Sequence, residues 1–157
     1  RLFNTFPNDP MRGLQWHVDS GDSADVELTA AWDTALGDTG TVIGIMDTGV
    51  DLGHPNLASK IWTNWTEWSG LPGVDDDGNG FVDDVHGVDA ANQTGNPFDV
   101  AGHGTRVAGV IGGVGNNGLG GVGVAHEAHD SPGPRASRPP TQRPGTVTAV
   151  KRGAPRR

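Results

Sequence analysis

The chain has 157 residues, which is enough for one domain with a hydrophobic core. It contains no cysteine, so disulfide scaffolds, thiolate metal sites and cysteine nucleophiles are excluded. Its net charge of −8 combines a strongly acidic body, residues 1–125, with a basic tail, residues 126–157. The acidic body argues against nucleic-acid binding and permits bound cations, and no apolar run in the sequence is long enough for a membrane span.

The predicted elements begin with an irregular segment over residues 1–24, in which "PNDPMRGLQW" carries turn signals. "AAWDTALG" favours a short helix that ends near Gly37. "TVIGIMD", which ends at Asp47, is a continuous apolar run typical of a strand buried on both faces in a parallel sheet. Residues 51–100 are rich in turn sequences and are predicted to be mostly loop.

After these loops, "AGHG" at residues 101–104 is predicted to open a helix of about ten to twelve small and apolar residues. "LGGVGVA" is predicted to open another buried strand. The succession of strand, connection, helix and strand indicates an α/β fold with a doubly wound parallel sheet and flanking helices. Residues 126–157 carry 6 of the 11 prolines and very few large apolar residues, so we expect this tail to be disordered.

An alternative for the tail is translation out of frame from about residue 126. One base later, codons compatible with "HEAHD" allow an apolar segment such as Met-Lys-Leu-Met-Ile, which is the kind of strand that an α/β sheet needs at this point. On either hypothesis the sheet is expected to be incomplete at its C-terminal side. The nucleotide sequence decides between a basic disordered tail and a shifted frame.

Two residues at one edge of the predicted sheet are candidates for acid–base chemistry. Asp47 follows a buried strand, where open α/β sheets place reactive groups, and Gly49 permits a sharp turn after it. His103 begins the predicted helix between Gly102 and Gly104, which allow another group to approach the imidazole closely. A carboxylate that orients an imidazole, which in turn takes a proton from a nucleophile, is an arrangement used in acyl transfer.

"IMDTGVDLGHPNL" and, later, "GHGTRVAGVIG" resemble the aspartate and histidine blocks of subtilisin-like serine proteases. The lead-in, the "AAWDTALG" helix and "GVGNNGLGGVGVA" are similar to the same family, so the resemblance covers roughly residues 7–125. It implies a subtilisin-like fold in which Asp47 is the triad aspartate, His103 is the general base and a polypeptide is the substrate. It also implies secretion, with a signal peptide upstream of Arg1 and a propeptide remnant at residues 1–7.

The sequence lacks the nucleophilic serine that the family carries in a "GTSxA" context and the asparagine of the oxyanion hole. The chain by itself is therefore expected to be inactive. One alternative is a non-catalytic, calcium-binding remnant of the protease fold. A metal-dependent hydrolase built on His103 is disfavoured, because no paired histidines occur at the spacing H-x-x-x-H.

"DDDGNGFVDD" at residues 75–84 fits the pattern of a calcium-binding loop. Oxygen ligands occur at the spacing that Ca²⁺ requires, and the crowded carboxylates repel one another unless a cation intervenes. His86 stands at the twelfth position, so the usual bidentate carboxylate is lacking there, and Asp84 is its substitute. The alternative is a solvated acidic turn. The predicted ligands are Asp75, Asp77, Asn79, the Phe81 carbonyl, Asp83 and Asp84.

Overall fold

The computed structural model describes residues 7–18, 20–21, 24–35, 42–126 and, for the backbone alone, 146–151. Helices and strands are both present, and none of the described helices is long and apolar enough to cross a membrane. In chain order the elements are a 3-10 turn (Arg12–Leu14), α1 (Leu28–Trp32), β1 (Val42–Asp47), a 3-10 turn (Ala58–Lys60), α2 (Trp65–Ser69), β2 (Gly87–Asp89), α3 (His103–Gly112) and β3 (Thr146–Lys151).

Both predicted helices are present, with different agreement in their bounds. Helix α3 has 10 residues and begins at His103, which confirms its predicted start and length. Helix α1 begins at Leu28, earlier than "AAWDTALG" predicts, and ends at Trp32. Gly37 and residues 1–6 of the predicted propeptide remnant lie outside the described residues.

The three described strands form one parallel sheet in the order β1–β3–β2. Asp47 at the end of β1 and Asp89 at the end of β2 are both in register with Lys151 at the end of β3. All three strands therefore finish at the same edge of the sheet. This carboxyl edge is where an α/β sheet presents its functional groups.

Strand β3 lies inside the tail that its composition predicts to be disordered, and for residues 146–151 that prediction is wrong. "TVTAVK" occupies the central position of the sheet and pairs with a strand on each side. Four of these six residues are β-branched, so the local strand propensity is high although the surrounding tail is rich in proline and arginine. The sheet thus obtains a strand after α3 in the reading frame as written. The rest of the tail beyond His126 lies outside the described residues.

The segment "LGGVGVA", residues 119–125, forms no strand, so this prediction is also wrong. Its backbone N–H groups instead satisfy carbonyls at the end of α3, at distances of 2.9 to 3.0 Å. The donors are Gly123, Val124 and Ala125, and the acceptors are Gly113, Val110 and Ile111. A Cβ on Gly123 would collide with the backbone of Gly112 and Gly113. The glycines therefore let this segment close the helix end tightly rather than extend the sheet.

The core beneath the carboxyl edge joins β1, the loop after it and α3. Its buried members are Ile45, Val50, Leu57 and Ala108. Only one face of β1 is covered, because Met46 on the opposite face is 69% exposed. The prediction of a strand buried on both faces is therefore wrong within the described structure. An apolar sequence permits a strand to be buried on both faces, but whether it is buried depends on which other helices and loops pack against it.

Candidate active site

The turn after β1 presents Asp47 at the edge of the sheet. Gly49 has φ = +109°, a backbone conformation that side chains rarely adopt. A Cβ at Gly49 would also collide with the backbone of Pro97, Phe98 and Asp99. Glycine is therefore required here, and the sharp turn leaves Asp47 at the end of the strand.

The first turn of α3 lies directly against this segment. Gly104 is buried, and a Cβ on it would overlap the carbonyl oxygen of Gly49 and lie 3.1 Å from Asp47 Cβ. Only glycine permits so close an approach of the two backbones. The approach brings His103, the preceding residue, to the carboxyl edge of the sheet.

His103 and Asp47 are in direct contact, although they are distant in the sequence. His103 Nδ1 lies 2.7 Å from Asp47 Oδ1 and 2.9 Å from Oδ2. The histidine side chain is 69% exposed and the aspartate side chain 18%. The carboxylate thus holds one ring nitrogen, and the exposed ring leaves Nε2 open to a second group. The structure brings together the two residues predicted to share a proton.

The hydrogen bond from His103 lowers the pKa of the Asp47 carboxyl below its ordinary value. The backbone N–H of Thr48, which donates to Asp47 Oδ1 at 2.7 Å, lowers it further. Hydrogen bonds of this kind favour the ionised form of a carboxyl group. Asp47 is therefore an anion that can stabilise a positive charge on the imidazole.

Substituting His103 with alanine is expected to raise the pKa of Asp47, because the largest cause of its lowering is removed. Since the folded pKa lies below the unfolded one, Asp47 stabilises the fold above the unfolded pKa of about 3.9, and this contribution is lost as the pH falls through the folded pKa. In His103→Ala the stabilisation by Asp47 therefore begins to be lost at a higher pH than in the unmodified chain. NMR titration of the Asp47 carboxyl carbon measures the shift.

The matched control is Arg106→Ala, which removes an exposed side chain one turn further along α3. It is expected to leave the titration of Asp47 as in the unmodified chain. An Asp47 pKa that is the same with and without His103 would contradict the contact.

A buried carboxylate that the sequence analysis did not single out, Asp99, connects the two halves of the site. Its Oδ1 accepts from the Thr48 hydroxyl at 2.8 Å and from the N–H groups of Ala101 and Gly102 at 2.9 and 2.8 Å. Its Oδ2 accepts from the N–H and the hydroxyl of Thr105 at 2.9 and 2.6 Å. An aspartate shortly before a helix start is the signal that points to such a role.

Burial alone would raise the pKa of Asp99, but the hydrogen bonds from Thr105, Gly102 and Thr48 outweigh it. Together they hold this pKa well below its ordinary value. Asp99 is therefore ionised in the folded protein at neutral pH, and N–H and O–H donors stabilise its negative charge.

The acidic loop, residues 75–84, contributes to a second cluster of polar side chains. Carboxylate oxygens of Asp75, Asp77 and Glu67 lie within 4.8 Å of one another. Glu67 is buried in α2, which Asn64 caps by accepting from the Thr66 N–H at 3.2 Å. Glu67 was missed in the sequence, because a single acidic residue in a tryptophan-rich helix carries no metal-binding pattern.

The other predicted calcium ligands take different positions. Asn79 donates through Nδ2 to Asp77 Oδ2 and Asp84 Oδ2 at 3.1 and 3.0 Å, and its Oδ1 accepts from the Phe81 N–H at 2.8 Å. Asp84 is buried, and burial raises its pKa. Asp83 instead accepts from the Gly73 N–H at 3.1 and 3.0 Å and is not part of the carboxylate cluster.

His86 and His103 also lie outside that cluster. His86 Nδ1 is 2.8 Å from the Trp62 carbonyl oxygen, which accounts for the histidine at the twelfth loop position. Among the described residues, the group that could hold a metal ion contains no histidine. This geometry gives no support to a metal-dependent hydrolase built on His103.

The chain matches the model of the subtilase family over residues 38–130. It is 41% identical over 116 residues to subtilisin-like protease 1 of Plasmodium berghei, which covers 72% of this chain and 18% of that protein. It is 32% identical over 114 residues to the halolysin-like extracellular serine protease Nep of Natrialba magadii, covering 71% of this chain and 17% of that protein. The chain thus spans less than a fifth of the length of these curated relatives.

Among solved structures, a protease from Pseudoalteromonas arctica matches with a TM-score of 0.54 at 30% sequence identity. The match covers 94% of this chain and 39% of that one. The family match includes the contacting pair Asp47 and His103, which stand in two blocks of the expected order. The chain belongs to the subtilase family.

Proposed function

We propose that this chain is the N-terminal part of the catalytic domain of a subtilisin-like serine endopeptidase. The observation that carries the proposal is the contact of His103 Nδ1 with both carboxylate oxygens of Asp47, at 2.7 and 2.9 Å. On this proposal Asp47 and His103 are two of three triad residues. The serine and the oxyanion hole belong to the larger part of the protein, because the chain spans only 18% of a relative that is named a protease.

In the proposed reaction the exposed Nε2 of His103 takes the proton from a serine hydroxyl as the serine oxygen attacks a peptide carbonyl carbon. Asp47 holds the imidazole in the tautomer that has a free Nε2 lone pair and stabilises the imidazolium that forms. His103 then gives the proton to the leaving amine. A water molecule repeats the sequence and releases the acyl group from the serine.

A polypeptide substrate agrees with the space around the imidazole. A Cβ on Gly102, the residue before His103, would meet nothing within 4 Å. Among the described residues no serine donates to His103: the hydroxyl of Ser20 donates to Asp25 and that of Ser69 to the Trp65 carbonyl. Because the sequence also contains no serine in a "GTSxA" context, the 157-residue chain alone is proposed to be inactive.

Labelling with a fluorophosphonate and hydrolysis of a fluorogenic peptide test this function. The chain alone is expected to give neither signal. A chimera in which residues 1–125 are joined to the remainder of the serine protease Nep of Natrialba magadii is expected to give both signals, and the same chimera with His103→Ala is expected to lose them.

A chimera that folds with a cooperative melt but is no more active than its His103→Ala counterpart would overturn the protease function and favour the non-catalytic remnant. If the chimera does not fold, NMR of the 157-residue chain tests the contact between His103 and Asp47 on which the proposal depends. A hydrogen-bond coupling between His103 Nδ1–H and the Asp47 carboxylate is expected there, and its absence would count against the proposal.

We also propose that the acidic loop binds a structural Ca²⁺. Support comes from the spacing of the loop oxygens together with the buried Glu67, which adds a third carboxylate beside Asp75 and Asp77. Like charges this close repel one another, and a bound cation would offset that repulsion. These three residues would hold the ion and let it fix the loop to α2, and Asp84, which shares the Asn79 amide donor with Asp77, is the nearest further carboxylate.

Calcium is expected to raise the melting temperature of the chain relative to a sample in excess chelator. At calcium concentrations about 100-fold above the dissociation constant the gain in free energy of unfolding is about 2.7 kcal/mol, which raises the melting temperature by about 5–11 °C. Asp75→Asn and Asp77→Asn are expected to abolish the gain. Differential scanning calorimetry measures it.

The matched control is Asp76→Asn, which removes the same charge from the neighbouring residue. Asp76 Oδ2 accepts from the Leu71 N–H at 2.8 Å and lies outside the carboxylate cluster. Asp76→Asn is expected to keep the calcium effect. Equal melting temperatures with calcium and with chelator would contradict the site and favour a solvated acidic turn.

A location outside the cell is proposed on the name of one relative, the extracellular protease Nep. The strongly acidic body agrees with a protein that binds cations, which extracellular calcium would supply. Fractionation of the source cells, with detection in the medium, tests it.

A further inference from the structure

We propose that Asp99 is a positioning residue, which keeps His103 and Asp47 at hydrogen-bonding distance by joining the turn after β1 to the start of α3. The expected effect of Asp99 on catalysis rests on the proposed function. Its effect on the contact between His103 and Asp47 does not, because all of these residues belong to this chain. Asp99 contacts neither side chain of the pair in the described structure. Its role is indirect.

The first connection runs through Thr48, the residue after Asp47. The Thr48 hydroxyl donates to Asp99 Oδ1 at 2.8 Å and accepts from the Gly104 N–H at 2.9 Å. The Thr48 N–H donates to Asp47 Oδ1 at 2.7 Å. One residue therefore links the buried carboxylate both to Asp47 and to the backbone next to His103.

The second connection runs through Thr105, two residues after His103. Its hydroxyl donates to Asp99 Oδ2 at 2.6 Å and accepts from the Asp51 N–H at 3.0 Å. Asp51 belongs to the loop that follows β1. The start of α3 is thus attached to this loop at two points, and Asp99 is the acceptor that both connections share.

Asp99 also replaces the missing cap of α3. Gly102 stands at the N-cap position and has no side chain to accept from the free N–H groups of the helix. Asp99 accepts from the N–H groups of Ala101, Gly102 and Thr105 at 2.8 to 2.9 Å. A buried anion at a helix N-terminus is favourable, because the free N–H groups there carry partial positive charge. Loss of this anion is expected to let the first turn, with His103, move away from β1.

The variants that test the role are Asp99→Asn and Thr105→Val. Asp99→Asn removes the charge and places an amide NH2 group, which donates, against groups that are themselves donors. Thr105→Val removes one donor and leaves the charge of Asp99 in place. Both are expected to raise the pKa of Asp47 in an NMR titration of its carboxyl carbon, and to weaken the coupling between His103 Nδ1–H and Asp47. Thr105→Ser, which keeps the hydroxyl, is expected to restore the values of the unmodified chain.

The sign of the change separates positioning from simple electrostatics. Removing the negative charge of Asp99 without any movement would lower the pKa of Asp47, because one nearby like charge is lost. Displacement of His103 raises it, because the hydrogen bond that lowers it is lost. A lowered or unchanged pKa of Asp47 in folded Asp99→Asn protein would therefore overturn the proposal.

Asp9→Asn is the control for removing a buried carboxylate. Asp9 is buried and accepts from the N–H groups of Asn116 and Asn117 at 2.9 and 3.4 Å, in another part of the structure. This variant is expected to lower stability and leave the Asp47 titration unchanged. If Asp99→Asn does not fold, Thr105→Val and Thr105→Ser decide the matter.

The catalytic consequence is measured in the serine-bearing chimera. Asp99→Asn is expected to lower kcat by about 100-fold with little change in KM, the size of effect that a small displacement of a catalytic group produces. An inactive unmodified chimera would be a failure of the proposed function, and the NMR measurements on the chain would still test the positioning role. A normal kcat in an active Asp99→Asn chimera would overturn the positioning role, as would an unchanged Asp47 titration in the folded variant.

Discussion

Gly104→Ala is expected to lower the free energy of unfolding by about 1–3 kcal/mol, the usual cost of forcing an extra group into a packed site. The added Cβ would overlap the carbonyl oxygen of Gly49. The Cβ is fixed by the helix backbone and the oxygen belongs to the backbone of Gly49, so neither can rotate away as the end of a flexible side chain would. Gly49 is itself confined, because the backbone of Pro97 to Asp99 lies against it.

The first turn of α3 must therefore move, and His103 moves with it. Urea denaturation measures the loss of stability, and the coupling between His103 Nδ1–H and Asp47 is expected to disappear in the same variant. The matched control is Gly109→Ala on the same helix, where an added Cβ meets nothing within 4 Å.

Gly109→Ala is expected to stabilise the chain by about 0.5–1 kcal/mol, because alanine loses less conformational freedom in a helix than glycine does. Equal effects of the two substitutions would contradict the close approach of α3 and β1. Both variants replace a glycine by alanine in α3, so a difference in stability between them cannot be explained by helix propensity.

Asp47→Asn is expected to lower kcat by about 10⁴-fold in the chimera that supplies the serine. An amide in place of the carboxylate favours the wrong tautomer of His103 and cannot stabilise the imidazolium. His103→Ala is expected to lower kcat further, by about 10⁶-fold, because the base itself is lost. Steady-state hydrolysis of a fluorogenic peptide measures both.

The double variant Asp47→Asn, His103→Ala is expected to be no worse than His103→Ala alone, since Asp47 acts only through the histidine. Asp51→Asn is the matched control. Asp51 lies in the same loop, and its Oδ1 accepts from the Gly53 N–H at 3.0 Å. It is expected to keep kcat within about tenfold of the unmodified chimera. A similar activity for Asp47→Asn and Asp51→Asn would refute the proposed role of Asp47.

The sequence by itself determined the residues whose placement depends on local chain geometry. Asp47 ends an apolar run and is followed by Gly49, so its position at the end of a strand follows from neighbouring residues. His103 between two glycines marks a helix start, and α3 begins there. The resemblance to subtilisin-like proteases rested on these same blocks, and the family match agrees with it.

The tertiary structure alone decided which distant groups meet these residues. The distances among Asp99, Thr48 and Thr105 depend on the packing of α3 against β1, which no local pattern records. Glu67 joins the acidic loop for the same reason. Strand β3 obtains its place from pairing with two partners far away in the chain, whereas composition reports only the average character of its own segment. Hydrogen bonds and close packing act between groups adjacent in space, so residues separated along the chain become a site only when the fold has formed.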